Sequence, residues 1–222
     1  MRRMPARTIK RLMDIVGATT GLVVLSPVLA AAALAVYLSL GRPILFCQDR
    51  PGLEGRLFRL CKFRTMRPAR EGEVWFRTDE RRLTRVGRWL RRISIDELPE
   101  LWMVLCGTMS LVGPRPLLPE YLPLYTAEQA RRHEMRPGIT GWAQVHGRQT
   151  IPFSKRLELD VWYVDHFSLR LDLRILAMTI RDVVRSRGVV PGQDIDEVDD
   201  LGFAPRGLAT ADSSTDPASD AT

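Results

Sequence analysis

Apolar residues are not spread evenly along this chain. Ile15 to Leu40, "IVGATTGLVVLSPVLAAAALAVYLSL", runs 26 residues without a charge. As one helix it would reach about 39 Å, beyond the roughly 30 Å hydrocarbon core of a bilayer. It is too long for a signal-peptide core and leads into no convincing cleavage site, so it is expected to be retained. Pro27, after Ser26, removes a backbone donor and clashes with the carbonyl of Val23, which predicts a kink. Each arm is then about 18–21 Å long, too short to cross alone. Basic residues flank both ends: Arg2, Arg3, Arg7, Lys10 and Arg11 before, Arg42, Arg50, Arg56 and Arg59 after. Such balance gives the positive-inside rule nothing to choose between. A re-entrant hairpin and a kinked single span both stay open on these features. A bend would free backbone groups, for which the Ser26 hydroxyl is a candidate partner. Asp14, at the start of the segment, calls for a cation, and Lys10 lies one turn earlier.

Beyond residue 41 the pattern shortens. "RPILFCQDRPGLEGRLFRLCKFRTM" (42–66) reads as two β-runs around a Pro-Gly-containing loop. Asp79 to Ile93 reads as a basic amphipathic helix, with Leu83, Val86, Leu90 and Ile93 on one face and arginines around it. Such a helix suits either a membrane interface or a solvated surface. Pro99 is tolerated only in a first turn, so the next helix is expected from about Asp96 to about Leu105. "GTMSLVGPRPLLPEYLPLY" (107–125) is a Gly- and Pro-dense loop, and "GITGWAQVHG" (138–147) suggests a strand between tight turns. Two helical patterns follow, Phe153 to Asp165 and Leu169 to Ser186, and 204–222 has the composition of a disordered tail.

Charge narrows the partners. Lys and Arg total 33 against 26 acids, a net charge of +7 with a pI near 9.9. Anionic partners are implied: nucleic acid, nucleotide phosphates or acidic lipid. The excess is mostly Arg, suited to bidentate grips on phosphate. Cys47, Cys61 and Cys106 show no zinc spacing and no disulfide framework. They are expected as buried reduced thiols facing the cytosol.

"SIDELPELW" (94–102) holds the adjacent carboxylates Asp96 and Glu97. Ser94 with Glu97 matches a capping box, and acids near a helix start suit its dipole. The same pair suffices for phosphoryl transfer. An ionised carboxylate attacks phosphorus without a general base, and its neighbour holds Mg²⁺. Lys62, Arg64, Arg115, Arg136 and Arg148 supply phosphate-binding cations, with Arg115 framed by Pro114 and Pro116. A tethered nucleic-acid-binding module would use the basic helix with Trp75, Phe76 and Trp89. It leaves Asp96, Glu97 and the Pro-framed Arg115 unexplained, so no nucleic-acid partner is expected.

Six stretches in order make the chain recognisable: "KRLMD" (10–14), "KFRTM" (62–66), "SIDELPELW", "MSLVGPRP" (109–116), "RPGITGWAQVHGR" (136–148) and "LDVWYVDHFSLRLDL" (159–173). Together they resemble the bacterial sugar transferases, the monotopic phosphoglycosyl transferases, over about residues 10–190. The resemblance implies transfer of a phosphosugar from a UDP-sugar to a polyprenyl phosphate, usually undecaprenyl phosphate, with release of UMP and ping-pong kinetics. Asp96 matches the nucleophile, Glu97 the Mg²⁺ ligand (with Asp96 beside it), and Arg115 the phosphate grip. Lys62 and Asp160 match positions at the site's edge, for charge neutralisation and orientation. Arg64, Arg136 and Arg148 would be further substrate contacts.

The resemblance further implies an α+β, mostly helical fold, with a helix that enters and leaves one leaflet and is broken at Ser26-Pro27. Lys10, Asp14 and Asp172 would anchor its base. Interfacial amphipathic helices and a small β-hairpin or sheet would surround a cytosolic active site at the inner membrane, among membrane lipids. The implied division is 1–41 for the flank and re-entrant helix, 42–203 for the catalytic domain and 204–222 for the tail. Some members add a multi-span N-terminal region; beside them this chain is expected to be the minimal catalytic form. The sugar and the oligomeric state stay open.

Overall fold

A computed structural model describes residues 3–69, 79–147, 150–184 and 199–202. Trp75, Phe76, Arg148 and the expected tail lie outside them. Two helices open the chain, α1 (Arg3–Val24) and α2 (Ser26–Leu40). They meet at Leu25 with a bend of 63°. Proline is the cause: it sits in the first turn of α2 and cannot donate to the Val23 carbonyl. The Ser26 hydroxyl donates to that carbonyl instead, at 2.8 Å. Among the described residues no single helix is long and apolar enough to cross a membrane, while this bent pair passes on length and composition together.

Small residues seat α1 on the rest of the protein. Ala18 is fully buried. A Cβ added at Gly17 would come within 2.6 Å of Leu111, and one at Gly21 within 3.1 Å of Leu101. The helix therefore lies directly on α5 (Glu100–Cys106) and on β3 (Ser110–Val112). Helix α2 packs through Ala32 and Val36 on Phe63 and Leu90.

The anchor at the base of α1 differs from the local pairing expected. Lys10 does not take Asp14. Its ammonium donates to Asp172 at 2.6 Å and to the Val112 carbonyl at 2.9 Å. Tyr163 donates to the other Asp172 oxygen at 2.7 Å. Asp14 accepts from the Ser110 hydroxyl at 3.0 Å and from the Leu111 amide at 2.9 Å. One turn of α1 thus reads two distant segments through two side chains. Arg11 donates to the carbonyls of Val104 and Leu105 at the end of α5.

The expected β-runs form an antiparallel hairpin, β1 (Leu45–Pro51) and β2 (Leu57–Phe63). Its register places Cys47 directly opposite Cys61. Their Cα atoms are 4.1 Å apart and the side chains are joined in a disulfide. This corrects the expectation of three buried reduced thiols. The two cysteines are 14 residues apart in sequence, and only the strand register makes them neighbours. Cys106 is free, as expected, but exposed rather than buried.

The basic run 79–93 is not one helix. It breaks into α3 (Asp79–Arg82) and α4 (Arg85–Arg92), because Leu83 bridges to Met66 and Thr84 caps α4 through the Gly87 amide. Gly87 abuts the Thr65 backbone, leaving a Cβ only 2.0 Å away. Strand β3 pairs in parallel with β4 (Gly138–Thr140). Within 138–147, where a strand between tight turns is expected, only Gly138–Thr140 form one; the extended Gly141 then caps α7 (Trp142–Val145). A short helix α6 (Ala127–Ala130) lies between β3 and β4, and the described helices end with α8 (Phe153–His166) and α9 (Leu169–Val184). The architecture is α+β and mostly helical, with two separate two-stranded sheets among the described residues.

Candidate active site

The "SIDE" stretch is a sharp turn rather than a capped helix start. Ser94 adopts φ 57° and ψ 22°, the left-handed region, and makes no side-chain cap. The expected capping box is therefore absent. A non-glycine residue held there costs about 1–2 kcal/mol. The outcome is a single 3₁₀ turn, Ile95–Glu97, that carries Asp96 inward to 5% exposure. Pro99 is the N-cap residue and α5 begins at Glu100, four residues later than the expected start.

Cations from two elements and a loop converge on this turn. Glu97 accepts from Arg115 at 2.5 Å. Asp96 is influenced most, among neighbouring charges, by Glu97 and then by Lys62 of β2, Arg91 of α4 and Arg115. Burial, reinforced by the adjacent Glu97, pushes the Asp96 carboxyl up to about 6, against the pull of those cations. Burial pulls the Lys62 ammonium down, helped by Arg91. Arg91 donates to the Thr65 hydroxyl at 3.1 Å, which fixes its guanidinium beside the site.

Arg115 is positioned by its backbone as well as by its prolines. Gly113 and Gly138 meet backbone to backbone: a Cβ at Gly113 would lie 2.2 Å from the Arg136 carbonyl, and one at Gly138 2.1 Å from the Gly113 nitrogen. The 114–116 segment thus leaves β3 in close register with β4. Arg132, 2% exposed, donates to the Arg115 carbonyl at 2.5 Å. The same guanidinium holds Asp160 of α8 at 2.6 and 3.1 Å. Pro51, Arg115, Arg132 and His133 help line a small cavity here. His133 bonds the Gly52 carbonyl at 3.2 Å. Nδ1 is the donor, since a carbonyl oxygen only accepts, and burial with Arg132 brings the ring down to about 4, so it is neutral.

A family model described as bacterial sugar transferase matches residues 5–186. The chain belongs to that family. It is 53% identical over 181 residues to an uncharacterized sugar transferase, EpsL, of Bacillus subtilis, covering 82% of this chain and 90% of that protein. It is 41% identical to the undecaprenyl-phosphate glucose phosphotransferase of Komagataeibacter xylinus, over 80% of this chain and 36% of that protein. A UDP-glucose:undecaprenyl-phosphate glucose-1-phosphate transferase of Caulobacter vibrioides is 42% identical, over 77% and 68%. The chain thus spans nearly all of the first relative but about a third of the second.

In this sugar transferase the residues singled out from sequence fall into three groups. Asp96, Glu97, Lys62 and Arg115 come together. Asp160 joins them through Arg132. Arg64 and Arg136 are engaged at helix ends instead: Arg64 donates to the carbonyls of Leu40 and Gly41, and Arg136 to that of Gly107 at 2.8 Å. Arg148 lies outside the described residues. Sequence reasoning passed over Arg91, Arg132 and Glu100. Arg91 sits in a basic helix whose arginines suit a membrane interface or solvent equally, and Arg132 sits in a short basic run with no signal of its own. Glu100 is 5% exposed, and burial with Glu97 pushes it up to about 8. Its signal was present: it begins α5 within the same motif, on the inner side of the first turn.

Proposed function

We propose that this chain transfers a sugar phosphate from a UDP-sugar to a polyprenyl phosphate, undecaprenyl phosphate by analogy with its relatives' names, releasing UMP. The observation that carries the reading is Asp96: a buried carboxylate held on a strained turn, beside an ion-paired Glu97–Arg115, with Lys62 and Arg91 near it. An Asp96 oxygen bonds to the sugar-linked phosphorus as the bond from that phosphorus to the bridging oxygen breaks. The electron pair leaves on UMP and no proton moves. A lipid phosphate oxygen then attacks the same phosphorus and expels the Asp96 carboxylate. With its carboxyl near 6, Asp96 is mainly ionised at neutral pH and needs no base. Lys62, Arg91 and Arg115 neutralise the phosphates.

Mg²⁺ fits this donor set. Asp96 and Glu97 offer hard oxygens at adjacent positions of one turn. That suits an ion bound by one or two carboxylates with water and phosphate completing its shell. Its chemistry would be charge neutralisation. The bent α1–α2 pair would lie in one leaflet of the inner membrane, among membrane lipids. The site would then stand at the cytosolic face, where a soluble nucleotide sugar meets an interfacial lipid headgroup.

UMP release by the full chain in nanodiscs tests this, with Mg²⁺, undecaprenyl phosphate and a panel of UDP-sugars. Release with one sugar, abolished in Asp96→Asn, is expected. Full activity in that variant removes Asp96 as nucleophile.

A further inference from the structure

Arg50 stands on the same face of the hairpin as Lys62. The register pairs Arg50 with Phe58 and Phe46 with Lys62. Paired residues point to the same side and sides alternate along a strand. Phe46, Gln48 and Arg50 therefore share a face with Phe58, Leu60 and Lys62. Arg50 sits four positions along the strands from Lys62, about 13 Å at roughly 3.3 Å per residue. Arg115 lies within electrostatic reach of both.

The two ends of this row differ. Lys62 is close to the carboxylates Asp96 and Glu97. The Arg50 Nε is buried with no hydrogen-bond partner, and no ion pair engages its guanidinium among the described residues. Burial and Arg115 bring it down to about 10, outweighing Tyr121, Glu120 and Glu100. A half-buried guanidinium beside a second one, with no anion of its own, is costly unless a ligand supplies the charge. The cavity lined by Arg115 and Arg132 also reaches Pro51, next to Arg50 at the end of β1.

Orientation selects the ligand. Displacement at phosphorus puts the leaving oxygen opposite the attacking one. Asp96, Lys62 and Arg91 mark the attacking side. Arg50 feels the charge of Arg115 and is not among the main charges acting on Asp96. We infer that Arg50 binds the phosphate of the departing nucleoside monophosphate, forming with Arg115 and Lys62 a row of three cations along a substrate diphosphate. This rests on the proposed reaction and adds a residue to it. As the bond to the bridging oxygen breaks, its electron pair and growing negative charge fall on the phosphate beside Arg50.

The test is UMP binding to the full chain in nanodiscs, by calorimetry, for wild type, Asp96→Asn, Arg50→Gln and Arg50→Met. Wild type and Asp96→Asn are expected to bind UMP. Both Arg50 variants should bind it at least about tenfold more weakly, consistent with loss of one charge-assisted contact. Uridine, which lacks the phosphate, should be bound alike by all. The KM for the UDP-sugar should rise in the Arg50 variants, and that for undecaprenyl phosphate should stay within about twofold. Equal UMP affinity in wild type and variants overturns the inference. So does a defect confined to the lipid phosphate, which would assign Arg50 to the acceptor. A lower melting temperature without nucleotide in both variants would make Arg50 structural and overturn it too. The comparison uses UMP alone, so an active Asp96→Asn enzyme would defeat the proposed nucleophile and leave the Arg50 result standing.

Discussion

Arg132 donates to the backbone carbonyl of Arg115 at 2.5 Å while its guanidinium is clamped by Asp160. The residue that grips Glu97 is thus held at its backbone by a second, buried arginine. Asp160 and Arg132 are 2% exposed. Burial pushes Asp160 upward and Arg132 pulls it back.

Asp160→Asn leaves Arg132 buried without a counter-charge. Breaking such a pair costs about 3–5 kcal/mol. At about 2–4 °C per kcal/mol for a chain of this size, the melting temperature should fall by roughly 6 °C or more. Activity should fall further than folding explains, since Arg115 loses its rear support. An unchanged melt would show that Arg132 is held by the Arg115 carbonyl and by the Tyr125 hydroxyl, to which it donates at 3.3 Å.

Activity should rise with pH through about 6 as Asp96 ionises. The attacking form is the deprotonated one, so the rate is present above that value and drops about tenfold per unit below it. A pH profile of kcat/KM checks this. A rate that stays flat from pH 7 to 5 would separate the nucleophile from this carboxyl.

Glu100 predicts a stability effect of opposite sense. Its folded carboxyl, raised to about 8 from an ordinary 4.5, contributes stability below the ordinary value. That contribution is lost as pH rises from about 4.5 through 8. Glu100→Gln removes the ionisation. Its melting temperature should match wild type at pH 4 and exceed it by a few degrees at pH 9. Equal curves at both would mean that Glu100 ionises freely.

The bend at Pro27 predicts topology. Cysteines placed beside Arg7 and Arg42 should label from the same face of a proteoliposome. Pro27→Ala restores the missing donor and removes the ring, and should reduce the bend while leaving the Lys10–Asp172 anchor. Labelling of the two wild-type sites from opposite faces would exclude the re-entrant arrangement.

Local chemistry is legible in the sequence. Pro27 dictates a helix break because its ring and missing donor act within one turn. The Pro-Gly loop dictates a hairpin for the same reason. Asp96, Glu97 and Arg115 stand out because adjacent carboxylates and a Pro-framed arginine are unusual wherever they fold. Legibility fails where partners are distant. Lys10 has a carboxylate four residues away and chooses one 162 residues away, because α1 packs against α5 and β3 and so faces Asp172 of α9 rather than solvent. Cys47 and Cys61 look unrelated until β1 and β2 set their register.

The chain alone therefore determined its helix break at Pro27, its hairpin and the residue types able to handle phosphate, since these depend on backbone sterics and side-chain chemistry within a few positions. Tertiary structure decided which cation meets which anion. It sent Arg64 and Arg136 to helix-end carbonyls, brought Arg91, Arg132 and Glu100 to the site, and left Arg50 without an ion pair among the described residues. Charge pairing acts through space over a few ångströms, and only packing sets those distances.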